Sequence, residues 1–284
     1  MLRSRVLQPY LLMSPAILLV LVLMGCLGLI LTMSFWTQNY LDFDRSFTLA
    51  NYRQLLASPI FWKLLWRSAG IAALVTFVSL LLAYPMAYFI AFDAGAHKLP
   101  WLILFTLPCW ISYLLRVLSW KLILGYNGVV NAGLSELGVI EEPLSFLLYN
   151  PTSVTIALTQ AWAPFALLPI FVSLEKIDRS LIHAASDLGD GPFWAFMRVT
   201  LPLSMPGVYA AALLIFIPTL GDYVTPALVG GPSGAMIGSY IASQFGTSNN
   251  WPLGSAVSLA AMACATLAVC LFLAGSDRLL KLFR

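Results

Sequence analysis

The amino-acid sequence predicts an all-α membrane protein with six transmembrane helices, and three observations support that prediction. First, 60% of the 284 residues are hydrophobic, 10% are charged and the mean hydropathy is +0.88, which is more apolar surface than one soluble core can bury. Second, apolar runs of about 18 residues or more recur, and each can cross a hydrocarbon layer of roughly 30 Å as a helix. Third, these runs lack the alternation of apolar and polar residues that membrane strands show over about ten positions.

The six predicted spans are apolar segments bounded by turn-forming or charged residues. They run from Tyr10 to Phe35, Ser68 to Phe92, Pro100 to Gly125, Thr152 to Leu174, Pro206 to Val229 and Pro252 to Gly275. Arg3 and Arg5 precede the first segment, as they would in a secretory signal. Its uncharged stretch is longer than the typical apolar region of a signal, about 7–15 residues, so we expect this segment to stay in the membrane as a helix.

Two segments between the spans are too polar or too short to cross the membrane. The segment from Asn127 to Asn150 contains three glutamates and Pro143, and it is predicted to be an outer loop with some helix. Apolar residues recur at helical spacing from Met236 to Phe245, which predicts a short helix at the outer interface of the membrane. Because no internal repeat or low-complexity linker is evident, residues 1–284 are predicted to form a single transmembrane domain.

The distribution of lysine and arginine predicts that both chain termini lie in the cytoplasm. With a cytoplasmic N-terminus, four basic residues lie in outer segments, namely Arg45, Arg53, Lys63 and Arg67, and nine lie in inner segments, namely Arg3, Arg5, Lys98, Lys176, Arg179, Arg198, Arg278, Lys281 and Arg284. Arg116 and Lys121 fall within a predicted span and do not enter this comparison. Cytoplasmic loops of membrane proteins carry the excess of basic residues, so the distribution favours this orientation.

The longest predicted inner segment, residues 175–205, carries a motif. It contains His183-Ala184-Ala185-Ser186-Asp187-Leu188-Gly189 and, after nine residues, Val199-Thr200-Leu201-Pro202. This pattern resembles the EAA signature of the permease subunits of ATP-binding cassette (ABC) importers: Glu-Ala-Ala, three residues, Gly, nine residues, Ile, any residue and Leu-Pro. Alanines let a helix pack closely, glycine permits a sharp turn, and Leu-Pro is expected to restart the chain toward the next membrane helix. His183 replaces the glutamate of the signature, so contacts of that carboxylate are not transferred to this chain.

The resemblance implies the type I ABC importer permease (MetI-like) fold and a bacterial inner-membrane location. It also implies that residues 175–205 form a cytoplasmic coupling loop whose helix docks into a cleft of an ATPase subunit, so that closure of the ATPase dimer on ATP tilts the membrane helices. The implied coupling residues are His183, Ala184, Ala185, Asp187, Gly189, Leu201 and Pro202. The implied partners are an ABC ATPase dimer, a second homologous permease, a periplasmic or lipid-anchored substrate-binding protein and membrane lipid. For the second permease, a heterodimer is favoured over a homodimer.

Energy for transport is expected from another subunit, because this sequence has no nucleotide-binding P-loop. The pattern Gly-x-x-x-x-Gly-Lys-Ser/Thr does not occur. No cofactor is therefore expected on this chain, and ATP and Mg²⁺ are expected on the partner ATPase. No basic patch interleaved with aromatic residues occurs either, so nucleic acid is not an expected partner.

Three further stretches resemble the spermidine/putrescine group of these permeases. They are Leu115 to Trp120 followed by Leu124 to Gly128, Leu220 to Pro226 with Gly230-Gly231, and Gln244-Phe245 with Trp251 to Ala256. This resemblance spans residues 116–258 and implies that a polyamine such as spermidine or putrescine is moved into the cytoplasm. Iron(III), phosphonates, opines and other small amines stay open as alternative substrates, because similar permeases import them.

Two charged residues inside predicted spans, Arg116 and Asp222, define a candidate substrate pathway. A charge in the hydrocarbon region is costly unless it is paired or hydrated. Each lies sixteen residues after the proline that begins its predicted span, so both are expected about 24 Å above the start of their helices. One interpretation is that Asp222, with Tyr223 and Trp120 nearby, receives a cationic substrate group released from or shared with Arg116. The other is a fixed ion pair between Arg116 and Asp222 without contact to substrate.

Two other classes of protein explain the sequence less well. A secondary transporter of small amines would also have rare intramembrane charges, but six spans are few, no inverted repeat is evident and the motif of residues 175–205 would be unexplained. An intramembrane enzyme is disfavoured because the only histidines, His97 and His183, fall in predicted loops and no Gly-x-Ser-x-Gly pattern occurs. The chain is therefore interpreted as a translocation subunit and not as an enzyme.

Overall fold

The computed structural model describes residues 2–39 and 42–282, with the side chains of residues 13–38, 42–144 and 146–276. Its helices are α1 (Leu2–Ser34), α2 (Ala50–Ala57), α3 (Pro59–Phe92), α4 (Lys98–Thr106), α5 (Tyr113–Ile123), α6 (Val129–Glu136), α7 (Pro151–Glu175), α8 (Arg179–Asp187), α9 (Pro192–Ala195), α10 (Leu201–Gly221), α11 (Ile237–Phe245) and α12 (Trp251–Leu282). Two short strands, β1 (Thr37–Asn39) and β2 (Asp42–Asp44), pair antiparallel. Arg284 lies outside the described residues, as do the side chains of Arg3, Arg5, Arg278 and Lys281.

The predicted six spans agree with the structure when one bent pair of helices counts as a single span. Within the described residues, five helices are long and apolar enough to cross a membrane: α1 from Met13, α3, α7, the helix from Pro192 through α10, and α12 as far as Ser276. The sixth span is formed by Gly95–Trp110 and Tyr113–Ile123, which meet at 82°. The short helix predicted between spans is α11, and the predicted loop from Asn127 to Asn150 contains α6.

The chain divides into two compact units, of which the smaller comprises residues 1–62 and 241–263. In this unit the amide of Asn51 donates to the carbonyl of Ser34 at 2.9 Å, which ties α2 to the end of α1. Gln38 in β1 donates to the carbonyl of Asn249 at 2.7 Å and accepts from the backbone N–H of Trp251 at 3.1 Å. The second bond satisfies one of the N–H groups that a helix leaves unpaired in its first turn, so Gln38 caps the start of α12.

The larger unit, residues 63–240 and 264–284, contains the main hydrophobic core. The core is formed by apolar side chains of α3, α5, α7 and α10, and its most buried members include Ile90, Val117, Leu158, Ile170, Leu174 and Ile215. Helices α7 and α10 approach closely at Gly207, where an added Cβ would lie 2.4 Å from Ser173 Cβ and 2.5 Å from the carbonyl oxygen of Pro169. Only glycine permits this separation of the two helices.

The third predicted span, Pro100 to Gly125, is not one straight helix. Pro108 lies in a 3₁₀ turn, Leu107–Trp110, and the next two residues leave the helical conformation, with ψ values of 140° and 132°. Proline lacks the N–H donor that would continue the hydrogen bonds of α4, so the chain turns before α5 begins. Counting residues from the start of the span therefore does not give the depth of Arg116. The prediction of equal depth for Arg116 and Asp222 assumed a straight helix from Pro100, and that assumption was wrong.

The fifth predicted span begins earlier than Pro206. Its helix starts at Pro192 and passes through a π-helical segment, Phe196–Thr200, before α10. The dipeptide Leu201-Pro202 therefore continues a helix that has already begun, and the prediction that it restarts the chain was wrong. In a regular α-helix the ring of Pro202 would clash with the carbonyl four residues before it, and the wider π turn just ahead of it accommodates the ring.

Candidate functional site

The motif of residues 175–205 contains α8, whose start is fixed by a side-chain cap. The carboxylate of Asp178 accepts a hydrogen bond from the backbone N–H of Ser180 at 2.9 Å, which satisfies an unpaired N–H of the first turn. This bond, with a second from the Ser180 side chain, holds the pKa of Asp178 below its usual value. Arg179 ties the same end of α8 to α3, because its Nη2 donates to the carbonyl of Phe92 at 3.0 Å.

Four of the motif residues lie on α8 and differ in exposure. Ala185 is buried, whereas His183, Ala184 and Asp187 are exposed. Leu188, directly after the helix, is 88% exposed, so the described chain leaves its apolar side chain uncovered. Helix α8 therefore packs one alanine against this chain and presents the other motif residues, next to an apolar side chain, on its free surface.

Gly189 forms the sharp turn that the motif predicts. Its φ of +94° lies in the region that favours glycine. Its N–H bonds to the carbonyl of Ser186, and the N–H of Asp190 bonds to the carbonyl of Ala185, both at 3.0 Å. These two bonds are the Schellman motif, which closes a helix by satisfying its last carbonyl groups. Asp190 then forms an ion pair with Arg198 at 2.6 Å.

The last two motif residues, Leu201 and Pro202, are half-buried in the first turn of α10. They do not share the exposed surface of α8. The guanidinium of Arg198, in the π segment just before them, lies 5.1 Å from the ring of Trp194 and pairs with Asp190. The motif thus forms an exposed helix, α8, joined to the membrane helix α10 through a turn that Arg198 holds by its contacts with Asp190 and Trp194, called here the clamped turn. This arrangement can transmit a movement of α8 to α10.

A second candidate site centres on Asp222, where α10 ends. The helix stops at Gly221 and does not continue to Val229 as predicted, and Asp222 is extended with ψ 133°. Its Oδ1 accepts from the backbone N–H of Val224 at 3.0 Å, and its Oδ2 accepts from the hydroxyl of Tyr113 at 2.5 Å. Asp222 is half-buried, and each carboxylate oxygen can accept a further bond. The carboxylate can therefore still bind a cationic donor such as an ammonium group.

The hydroxyl of Tyr113 lies between Asp222 and Thr225. It is 2.5 Å from Thr225 Oγ1 as well as from the carboxylate. A phenol has one proton, and Tyr113 donates it to Asp222, so the hydroxyl of Thr225 is the donor in the other bond. Thr225 is completely buried, and its hydroxyl therefore fixes the phenol from the protein interior.

Arg116 contacts the ring of the same tyrosine. Its guanidinium carbon lies 5.9 Å from the centre of the Tyr113 ring, which is a cation–π distance. Its Nη1 donates to the carbonyl of Ala161 in α7 at 3.2 Å, and the side chain is 9% exposed. Nε of Arg116 is buried and has no hydrogen-bond partner among the described residues. This cation is thus held by one carbonyl and one ring face, and it keeps an unused donor.

Arg116 and Asp222 do not form the fixed ion pair that was one of the two interpretations. Among the described side chains, the ion pairs are Lys98–Glu175 and Arg198–Asp190. The two charges are linked through Tyr113, which donates to one and stacks against the other.

The described residues contain no group of three or more His, Cys, Asp or Glu side chains that could hold a metal ion.

The other two predicted pathway residues have different surroundings. Nε1 of Trp120 donates to Oε1 of Gln160 at 3.2 Å, and both residues line a largely apolar cavity of about 570 Å³ with Thr159. Tyr223 is 55% exposed. The side-chain contacts of Asp222 are instead with Tyr113 and Val224, so Trp120 and Tyr223 are not part of the group that holds the carboxylate.

Tyr113 and Thr225 are site residues that the sequence did not predict, although each has a local signal. Tyr113 lies three residues before Arg116, a spacing that places two side chains on the same face of a helix. Thr225 lies three residues after Asp222, within the stretch that resembles the fifth span of polyamine permeases. The hydrogen bond that makes Tyr113 important joins residues 109 positions apart, and no local spacing reveals such a contact.

The sequence and fold are similar to those of known transporters, although no family model matches the sequence. The spermidine/putrescine transport system permease protein PotB of Escherichia coli (strain K12) is 37% identical over 234 residues, which cover 81% of this chain and 84% of that protein. The inner membrane ABC transporter permease protein YdcU of the same organism is 36% identical over 266 residues, which cover 88% of this chain and 83% of that protein.

The fold is also that of a transporter subunit whose structure is solved. A chain of a bacterial alginate ABC transporter, in complex with an alginate pentasaccharide-bound periplasmic protein, superimposes with a TM-score of 0.73 at 19% identity. The match covers 98% of this chain and 96% of that chain. This likeness confirms the predicted ABC importer permease fold.

Proposed function

Since this chain belongs to the spermidine/putrescine transport system permease family of ABC importers, we propose that it moves a polyamine cation into the cytoplasm. The protein is a multi-pass permease of the bacterial inner membrane. The substrate class is supported by the names of its relatives and by one contact above all. The half-buried carboxylate of Asp222, at the broken end of a membrane helix, offers free acceptor sites to an ammonium group.

The charge balance around Asp222 suits transport better than tight binding. A carboxylate alone in a membrane would hold a cation strongly, because little water screens the attraction. Here the positive charge of Arg116 lies against the same tyrosine that holds Asp222. A nearby fixed cation weakens the hold of the carboxylate on an ammonium group, and a pathway must release its substrate as well as accept it.

We propose that α8 is the coupling helix and that it docks on a separate ATPase dimer, which binds ATP and Mg²⁺ and carries out the hydrolysis. The exposed face that includes His183, Ala184 and Leu188 supports this role. The clamped turn between α8 and α10 supports transmission of movement to the membrane. The positions of the basic residues support a cytoplasmic location for this segment and for both termini.

We further propose that the functional importer contains a second homologous permease, in a heterodimer, and a periplasmic or lipid-anchored substrate-binding protein. The most apolar 18-residue stretch of α1 has none of its residues buried by the described chain, which leaves it free to contact lipid or another subunit. The alginate transporter that shares this fold forms a complex with a periplasmic protein. Such a protein is where much of the choice of substrate would be made.

The experiment that tests this function is uptake by a reconstituted importer. Proteoliposomes would contain this chain with its second permease and ATPase, and would receive the binding protein and labelled spermidine. We expect uptake that requires ATP and that unlabelled putrescine inhibits, whereas iron(III), a phosphonate and an opine do not inhibit it. Uptake driven by an ion gradient without the ATPase would show a secondary transporter, and inhibition by one of the other solutes alone would reject the polyamine assignment.

A further inference from the structure

Arg116 and Asp222 carry opposite charges and both contact Tyr113, yet they do not form an ion pair. A guanidinium and a carboxylate inside a membrane attract strongly, because the surroundings screen them weakly. Arg116 also has a reason to move, since its buried Nε has no acceptor among the described residues. Yet the carboxylate of Asp222 is held by Tyr113 and Val224, and Arg116 is held on the tyrosine ring.

We propose that Tyr113 is a positioning residue that keeps the Asp222 carboxylate out of an ion pair with Arg116, so that the carboxylate stays available to an ammonium group of the substrate. This inference rests on the proposed function of Asp222 as the cation acceptor. It assigns separate tasks to the two parts of the tyrosine: the hydroxyl holds the anion, and the ring holds the cation.

The hydroxyl can hold the carboxylate because its own direction is fixed. Thr225 donates to the phenol oxygen and Tyr113 donates to Asp222, so the proton order in this chain of bonds has one arrangement. A hydrogen bond to an ionised carboxylate is roughly twice as strong as one between neutral groups. The second carboxylate oxygen is oriented by the backbone N–H of Val224 at 3.0 Å, so neither oxygen depends on Arg116 for a donor.

The ring can hold the guanidinium because aromatic faces attract cations, most effectively away from water. Arg116 is 9% exposed and lies 5.9 Å from the ring centre. Without the ring, the nearest strong attraction for its free donors would be the carboxylate that Tyr113 also releases. Loss of the whole side chain is therefore expected to let Arg116 and Asp222 collapse into the pair that the native protein avoids.

Selectivity for amine cations over neutral solutes follows from this arrangement. To bind, a substrate must use the acceptor sites that Tyr113 and Val224 leave free on the carboxylate and must not be excluded by the guanidinium. An ammonium group brings a full positive charge and three donors, whereas a neutral amide or hydroxyl brings neither the charge nor the extra bonds. Tyr113 would thus leave the site open to cations and closed to neutral solutes.

The test measures labelled spermidine uptake by the complete importer in proteoliposomes, with assembly of each variant checked by co-purification of its subunits. We expect Tyr113→Ala to lower kcat/KM by about tenfold or more, the size of a strong coupling between contacting groups. We expect Arg116→Gln in the same chain to restore most of that loss, because no cation is then left to occupy Asp222. The matched control is Tyr126→Ala, which removes an exposed tyrosine and should leave uptake equal to that of its parent, whether the parent is the native chain or Arg116→Gln.

A second variant distinguishes the role of the tyrosine ring from that of its hydroxyl, and it tests the inference even if Tyr113→Ala fails to assemble. Tyr113→Phe keeps the ring under Arg116 and loses only the bond to Asp222, so we expect a moderate rise in KM, an unchanged kcat and no rescue by Arg116→Gln. Loss of uptake by Tyr113→Phe as severe as for Asp222→Asn, or absence of rescue in the assembled Tyr113→Ala protein, would overturn this inference. An Asp222→Asn importer with native KM would instead overturn the proposed function of Asp222.

Discussion

The carboxylate of Asp222 owes its position to the break in the backbone after Gly221. An extended backbone turns the side chain toward the N–H of Val224, two residues further on, as short acidic side chains do in turns. Had the helix continued to Val229, the N–H groups around Asp222 would have been used within the helix. The carboxylate would then have lacked the backbone donor that orients it.

We expect Asp222→Asn to raise the KM for spermidine by about tenfold or more, because the amide keeps the shape of the side chain but loses the charge that attracts an ammonium group. Uptake measured over a range of spermidine concentrations would separate KM from kcat. The control Asp42→Asn removes the same charge from an exposed position in β2 and should change neither. An unchanged KM in a well-assembled Asp222→Asn importer would contradict the role of the carboxylate.

The role of Gly189 can be tested because Gly138 closes another helix of the same chain with the same geometry. Gly138 has a φ of +68° and closes α6 with the same two bonds, from its N–H to Ser135 and from the N–H of Val139 to Leu134. An added Cβ would meet no atom within 4 Å at either glycine. A substitution at the two positions therefore carries the same kind of backbone strain, and only one of them lies in the motif.

We expect Gly189→Asp to abolish ATP-driven uptake while the protein still inserts into the membrane, because the new charged side chain points into the space where a partner would pack. Gly138→Asp should lower the folding stability only through the strained backbone, by about 1 kcal/mol or somewhat more, and should transport normally. Co-purification of the ATPase with each variant would locate the defect. Equal transport by both variants would show that Gly189 has no coupling role.

The membrane spans were predictable because the length of an apolar run does not depend on whether its helix bends. The bends within the spans were not predictable. A run such as Pro100 to Gly125 is apolar enough to cross the membrane whether or not it bends at Pro108. Proline is also found inside α3, α7 and α10 without such a bend, so its presence alone does not predict one. Tyr113 was missed for a related reason, since its partner Asp222 comes near only through the packing of these broken helices.

The contact of α7 with α10 depends on the missing side chain of Gly207. We expect Gly207→Ala to lower the thermal unfolding midpoint of the detergent-solubilised protein by several degrees, because the methyl group would overlap Ser173 and the carbonyl of Pro169, and overpacking costs about 1–3 kcal/mol. Gly25→Ala in α1, where nothing lies within 4 Å, should leave the midpoint unchanged or raise it slightly. A Gly207→Ala protein as stable as the native one would show that the two helices can separate without loss.

As a subunit of the proposed importer, the protein is one part of an assembly, and its partner can be identified by purification. We expect two differently tagged copies of this chain, expressed with the ATPase and the second permease, not to purify together, because each importer would contain one copy. The second permease should purify with either tag. Recovery of both tags in one complex would show a homodimer, and ATP-dependent uptake by this chain alone would contradict the need for any partner.

The bend between α4 and α5 also bears on how the chain enters the membrane as it is synthesised. These helices have nine and eleven residues, and each is well short of the roughly 20 residues that a spanning helix needs. The carbonyl that accepts from Arg116 belongs to Ala161, which leaves the ribosome later. We therefore expect a nascent chain that stops before α7 to hold this segment in the membrane less firmly, because the guanidinium of Arg116 lacks its carbonyl acceptor until α7 has emerged.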